Sequence, residues 1–388
     1  MRRISAFLLR LITFGVLFHV YVGFRLIPDF SSSAARIPAV LWLVASCLVI
    51  PLGMLSRTFE RQPLGDRVAW IGLLEMGFFS SLLVLTLARD LLLASLLTLD
   101  ALAPHTVSLA HWRALTADAV PLLAFAASAI GFFNARRLAR VVEVEVPIDD
   151  LPASLDGFTI VQISDIHVGP TIKRGYVEAI VNAVNRLQPD LIAVTGDVVD
   201  GSVARLAGHA APLGALRARH GAFVVTGNHE YYSGADAWVA EFRRIGLDVL
   251  MNEHRTIEHG DGRLVLAGVT DYSAGSFDPA HRSDPSAALA GAPADVRLRV
   301  LLAHQPRSAN AAADAGFTLQ LSGHTHGGQF FPWNFFVPLQ QPFVSGLARL
   351  NGLWVYTSRG TGYWGPPKRF GAPSEITRVK LLAGRAAQ

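Results

Sequence analysis

The sequence predicts a two-part chain: an all-α bundle of about four transmembrane helices over residues 1–140, then an α/β layered domain with two sheets over 141–388. Three observations predict it. Hydrophobic residues fill 51% of the 388 positions and charged ones only 16%, against about 25% charged in an ordinary soluble domain. Four long apolar runs crowd into the first third. Beyond residue 140 short strand-like runs alternate with helical lengths and give way to a strand-rich half. A mean hydropathy of +0.35 excludes a disordered chain or a collagen. The single cysteine, Cys47, excludes an internal disulfide and any cluster of thiolate ligands.

The apolar runs lie at about 5–24, 38–55, 69–88 and 117–135, each near the length a helix needs to cross hydrocarbon. Arg89 and Asp90 part a further apolar stretch, 91–103, from the third run, so it reads as an interfacial or re-entrant helix. A cleaved signal peptide competes for the N-terminus, but Arg10 interrupts its apolar stretch and no Ala-x-Ala site ends it. Arg2, Arg3, Arg57, Arg61, Arg67, Arg136, Arg137 and Arg140 would lie on one side, and Arg25, Arg36, Arg89 and Arg113 on the other. That excess puts both termini and the second domain in the cytoplasm. Arg10 and Glu75 fall inside predicted spans, where they either pair or reach for the headgroups. The net charge of +4 divides into +6 before residue 141 and −2 after it, so nothing calls for a nucleic acid.

In the second part, 142–146 alternates with period two, and 158–163, 191–195 and 223–226 read as strands. Segments 172–188 and 203–219 have helical spacing, 271–296 reads as a surface loop, and 263–269, 297–303, 317–321, 352–358 and 375–382 read as strands. Five of these strands end in metal-ligand residue types: Asp165-x-His167, Gly196-Asp197, Gly227-Asn228-His229-Glu230, His304, and Gly323-His324-Thr325-His326. Open α/β sheets bind ligands at the carboxyl ends of strands. Carboxylates and imidazoles suit Mn, Fe or Zn. An extended Asp165-x-His167 would turn both side chains to one side, and so would His324-x-His326. Singly, each piece is common; the ordered set of five has no packing rationale.

That order of motifs resembles the calcineurin-like metallophosphoesterase superfamily over about 157–382. The phrases Val161–Pro170, Gly227–Tyr232, Gly323–Gln329 and Ser358–Gly365 look like its bacterial membrane-anchored branch, which also has an N-terminal membrane part. The resemblance implies a four-layer αββα sandwich with two divalent metal ions (Mn, Fe or Zn) at the mouth between two sheets. Asp165, His167, Asp197 and His326 would hold one ion. Asn228, His304 and His324 would hold the second, with Asp197 as bridge. His229 would be the catalytic histidine beside the ions, giving a proton to the leaving oxygen. The implied activity is hydrolysis of a phosphomonoester, phosphodiester or pyrophosphate bond.

Other positions carry two readings each. Asp200 orients a ligand or caps the next helix; Glu230 supports the ligands or is a plain hydrogen-bonding residue. Arg359 binds the non-reacting part of the substrate or forms a surface ion pair. The aromatic segment 330–336 is a membrane-contacting lip, an acyl-chain groove or ordinary core. Four spans favour a lipid-linked substrate, and no protein partner is indicated. A soluble substrate with the spans as a tether is the second enzymatic reading. The non-enzymatic alternative is a metal-binding membrane sensor or transporter-associated domain.

Overall fold

Runs of β-branched and aliphatic residues with buried flanks decide the layers of the second part. The computed structural model describes residues 2–56 and 62–384. They fall into two compact units: Met1–Phe133 with Gly365–Lys368, and Asn134–Trp364 with Arg369–Gln388. Arg57 and Arg61, used above for orientation, lie outside the described residues.

In the first unit four helices are long and apolar enough to cross a membrane: α1 (Arg2–Leu26), α2 (Arg36–Leu55), α3 (Gln62–Leu102) and α4 (Leu109–Arg136). Val22, Leu26, Leu43, Phe79, Leu82, Val120 and Ala124 form the core. Residues such as Phe24, Ile37, Leu122 and Phe125 point outward, as a lipid-facing surface requires. His19 is buried, stacked on Phe79 with ring centroids 3.7 Å apart and bonded to Ser46 Oγ at 3.0 Å. Arg10 is exposed, and Glu75 lies against Ser46 and Trp42 instead.

The sequence reading of 91–103 as an interfacial or re-entrant helix apart from the third span is corrected. α3 runs unbroken through Arg89 and Asp90 for 41 residues, about 60 Å. The two charges do not break it because each is neutralised. Arg89 reaches Asp29 at 2.5 Å and the carbonyls of Arg25 and Arg113, while Asp90 takes Arg25 at 2.8 Å and the Tyr21 hydroxyl at 2.6 Å.

The second unit holds two six-stranded sheets. Their strands are β1 (Arg140–Ile148), β2 (Thr159–Ile163), β3 (Leu191–Thr195), β4 (Ala222–Val225), β5 (Asp248–Val249), β6 (Glu253–His259), β7 (Gly262–Gly268), β8 (Arg299–Leu302), β9 (Leu319–Ser322), β10 (Gly346–Leu350), β11 (Leu353–Thr357) and β12 (Glu375–Ala383). The first sheet has the order β1-β12-β2-β3-β4-β5, and the second β10-β11-β9-β8-β7-β6. β2 to β5 run parallel, as do β7, β8, β9 and β11.

The four layers follow from three apolar clusters. Ile160, Leu191, Phe223, Leu266, Val300 and Leu321 interdigitate between the sheets. Val161, Ile192 and Val224, on the opposite face of the first sheet, meet Val177, Ile180, Leu206 and Trp238. Those come from α5 (Arg174–Arg186), α6 (Val203–Ala210) and α8 (Ala235–Arg244); the short α7 (Asn228–Ser233) precedes α8. Ala267, Leu301 and Val355 pack on α9 (Pro285–Ala288) and α10 (Ala309–Asp314) through Ala288, Ala309 and Ala312. This is the αββα sandwich. The sequence reading omits β5, β6 and β10, which are short, polar or at sheet edges, and places a loop where α9 forms.

Two glycines let α2 and α3 touch. A Cβ on Gly72 would sit 2.5 Å from Gly53 Cα, and small residues are what close helix approach in lipid needs. Gly72→Val should therefore push the helices apart and destabilise the full-length protein by about 1–3 kcal/mol. A detergent-solubilised variant melting no lower than the parent would refute this contact.

Candidate metal centre

All five ligand-bearing motifs meet at the carboxyl ends of parallel strands. Asp165 and His167 follow β2, Asp197 follows β3, Asn228 and His229 open α7 after β4, His304 follows β8, and His324 and His326 follow β9. Their donor atoms form three overlapping groups: Asp165, His167 and His326; His167, Asp197 and His229; and Asp197, His304 and His324. Within each group the donors lie within 4.8 Å of one another. His167 Nε2 is 3.0 Å from His326 Nε2, and His304 Nε2 is 3.1 Å from Asp197 Oδ2 and 3.2 Å from His324 Nδ1.

The local backbone differs from the extended form expected of Asp165-x-His167 and His324-x-His326. Asp165, His167, Asp197, His324 and His326 all have left-handed φ, between 52° and 71°. That conformation is unfavourable for residues with a Cβ and clusters at functional sites. It turns the chain off the extended path after β2, β3 and β9, where these five residues sit. Close approach is also enforced by glycine: a Cβ on Gly323 would lie 2.0 Å from Ser164 Oγ and 2.2 Å from Asp165 Oδ2.

Hydrogen bonds set which atoms are left to face the centre. His304 Nδ1 lies 2.8 Å from the Thr195 carbonyl. A carbonyl only accepts, so Nδ1 carries a proton, and Nε2 is the ring atom left to face Asp197 and a cation. Both Asp165 oxygens accept from His324 N at 3.0 Å. His229 N donates to Asp197 Oδ1 at 2.8 Å. Arg369, fully buried, donates to the carbonyls of His326, Arg359 and Gly362, and through Nη2 to His326 Nδ1 at 2.9 Å. A guanidinium cannot accept, so the His326 ring proton sits on Nε2. A cation taking that nitrogen would displace it.

Two carboxylates left ambiguous by sequence are settled here. Asp200 does not cap α6; its Oδ1 holds His229 Nδ1 and, at 3.2 Å, His167 Nδ1. Burial pushes the Asp200 carboxyl up, but the two imidazoles outweigh it and hold it below the usual carboxylate range. Glu230, fully buried, accepts from the backbone N–H of Asp197, Val198, Val199 and Gly227 at 2.7–3.2 Å. Burial, and then the charge of Asp197, push it up to about 7. Burial would push His229 down, yet Asp197 and Asp200 carry it up to about 9.

Arg359 is half-exposed and paired with the buried Glu375 at 3.1 Å, beside Gly327. Asp271 accepts from Gln305 Nε2 at 3.1 and 3.0 Å. Sequence reasoning missed Arg369, whose Pro-Pro-Lys-Arg setting carries no signal of a buried cation.

Do these residues fit a cation pair? The buried Asn228 Oδ1 has no hydrogen-bond partner among the described residues, and a buried orphan acceptor demands one. Two aspartates and five imidazoles form the overlapping donor groups that its chain neighbour His229 joins. The donor set fits divalent ions of intermediate hardness.

The family model for calcineurin-like phosphoesterases matches residues 158–328. An uncharacterized metallophosphoesterase of Aquifex aeolicus is 32% identical, the match covering 62% of this chain and 91% of that one. The chain belongs to the calcineurin-like phosphoesterase family. The "transmembrane protein with metallophosphoesterase domain" of Danio rerio is 40% identical over 65% of this chain, and its Bos taurus counterpart 41% over 66%. The chain spans 59% and 60% of the length of those two relatives.

Replacing Glu230 by Ala strips four buried N–H groups of their acceptor. Each unsatisfied donor costs about 1–3 kcal/mol. The variant should unfold at a clearly lower temperature and bind Mn(II) more weakly in titration calorimetry. Unchanged melting and affinity would contradict the supporting role.

Proposed function

We propose that this protein is a membrane-anchored phosphoesterase working with two divalent metal ions, Mn, Fe or Zn. The observation that carries the reading is the convergence of Asp165, His167, Asp197, His304, His324 and His326 in overlapping groups of donor atoms at strand ends, with the unpartnered Asn228 Oδ1 in the turn after β4. Asp165, His167, Asp197 and His326 would hold one ion; Asn228, His304 and His324 would hold the other, with Asp197 between them. Such a pair supplies Lewis acidity toward phosphoryl oxygens and makes a water acidic enough to act as nucleophile near neutral pH.

The chain's own groups do the rest. His304 Nε2 is aimed by the Thr195 carbonyl, and His167 by Asp200. His229 stands beside the donor set with Nδ1 fixed by Asp200 and Nε2 4.0 Å from Asp197 Oδ2. Its protonated form is favoured by the two aspartates, which suits a group that hands a proton to the leaving oxygen. Arg359, ion-paired but half-exposed near Gly327, is proposed to touch the part of the substrate that does not react.

Four spans and a catalytic unit joined directly to the last of them favour a substrate in the membrane, such as a lipid-linked phosphoester. The arginine placement favours a catalytic unit on the cytoplasmic side, and the resemblance to the bacterial membrane-anchored branch favours a bacterial inner membrane.

His229→Ala should lower turnover by about 100-fold or more while elemental analysis finds the metal retained. A fully active variant would remove His229 from the chemistry. Asp197→Ala should lose metal outright; unchanged metal content would overturn the bridging role. Chelation should abolish hydrolysis of an aryl phosphodiester, and Mn(II) should restore it.

A further inference from the structure

Directly after the turn that bears His326 the chain makes a loop of a different character. Between Asp314 and Arg349 there is no Asp, Glu, Lys or Arg. Within this stretch Phe331, Trp333, Phe335, Phe336 and Leu339 are 41–80% exposed. The sequence reading of the segment as ordinary core does not hold. The rings pack on each other instead, Phe331 with Phe335 at 5.8 Å and Trp333 with Phe336 at 5.6 Å. An uncharged cluster of exposed aromatics of this kind marks an interaction surface.

The loop is fixed to the metal centre. A Cβ on Gly328 would lie 2.3 Å from the Asn334 backbone. Gln329 exchanges two hydrogen bonds with the Trp364 backbone, at 2.8 and 2.9 Å. The half-exposed Trp364 ring in turn lies 5.8 Å from that of His229. The aromatic surface and the mouth of the centre therefore share one face.

What covers that face follows from how the chain enters the α/β unit. The last turn of α4, a helix long and apolar enough to span a membrane, is already part of this unit. Ala135 sits in its core, Arg136 Nη1 donates to Tyr363 Oη at 3.0 Å and to the Thr171 carbonyl at 2.8 Å, and Asn134 Nδ2 donates to the Arg369 carbonyl at 3.2 Å. Tyr363 precedes Trp364, and Arg369 is the residue that grips His326. Within this unit, the residues that end α4 thus lie next to Tyr363 and Arg369, neighbours of the face that carries both the candidate metal centre and the exposed rings.

We propose that the 330–339 loop is a bilayer-docking surface. Its aromatic and aliphatic side chains enter the headgroup–acyl boundary, where Trp and Phe are favoured, and the mouth of the centre opens onto that boundary. Membrane-borne phosphoesters then reach the site without crossing water. This second half rests on the phosphoesterase reading above; the docking does not.

The test uses the full chain in phosphatidylcholine–phosphatidylglycerol nanodiscs. Cys47→Ser removes the native thiol, and Phe335→Cys carries an environment-sensitive fluorophore. Asp261→Cys, at the exposed β6–β7 turn, is the comparison. Spin-labelled lipids should quench the label at 335 at least about threefold more than the label at 261, and iodide should quench it less. A label at 335 open to iodide and untouched by lipid quenchers overturns the docking. So does a label shielded from both, which would put a second copy or another protein over the rings. For delivery, the double variant Phe335→Asp, Phe336→Asp should lose about tenfold on a phosphoester in the same nanodisc while keeping its rate on a soluble aryl phosphodiester. Equal loss on both overturns delivery. A parent protein that hydrolyses neither overturns the phosphoesterase reading and leaves the quenching result standing.

Discussion

Four carboxylates, Asp165, Asp197, Asp200 and Glu230, are buried in one small region, and the rest of the α/β unit is arranged around that constraint. Buried like charges repel, and each also loses its hydration. The unit answers with two kinds of partner. Imidazoles surround Asp197 and Asp200, and backbone N–H groups converge on Glu230 and Asp165. Asp165 still stands apart: burial, and then Asp197, raise it, although His304 and His167 pull the other way. Two buried carboxylates this close do not both ionise easily, and added positive charge between them would relieve the repulsion.

Backbone conformation is the second element. Five of the seven proposed ligands occupy the left-handed region, and none is a glycine. A strand that simply continued would also turn residues two apart to one face. Leaving the extended region at the last residues of β2 lets Asp165 and His167 join one donor group, while after β9 His326 joins that group and His324 joins the one with Asp197 and His304. Glycines at 227 and 323 make room for the neighbouring aspartates. The sheets beneath are made of fully buried aliphatic strands, rigid enough to hold these unfavourable turns.

The polar residues of the helical unit follow the same logic in a different solvent. Arg89 and Asp90 fall within a helix whose neighbours in sequence are leucines, and a lone charge there would be costly. Paired with Asp29 and Arg25, they tie three segments of chain together and let α3 continue. The same residue types that suggest a break in sequence act as a junction once partners some 60 residues away are supplied.

Much of this was legible in the sequence because it depends on residue type and local period. Long apolar runs can only be buried or lipid-facing, whatever their neighbours, so the four helices were visible. Period-two and all-aliphatic runs marked the central strands, and the strand-end positions of Asp165, Asp197, His304 and His324 followed from them. Tertiary structure decided what depends on partners distant in sequence. β5, β6 and β10 are strands only because a neighbouring strand pairs with them. Asp200 binds two histidines rather than a helix end, because α7 brings His229 across from the next strand. Glu230 is a backbone acceptor because two loops fold over it. Arg369 lies 43 residues beyond His326, and no local pattern could join them. The aromatic loop is exposed, not core, because the sheets beneath are already filled by their own aliphatic side chains.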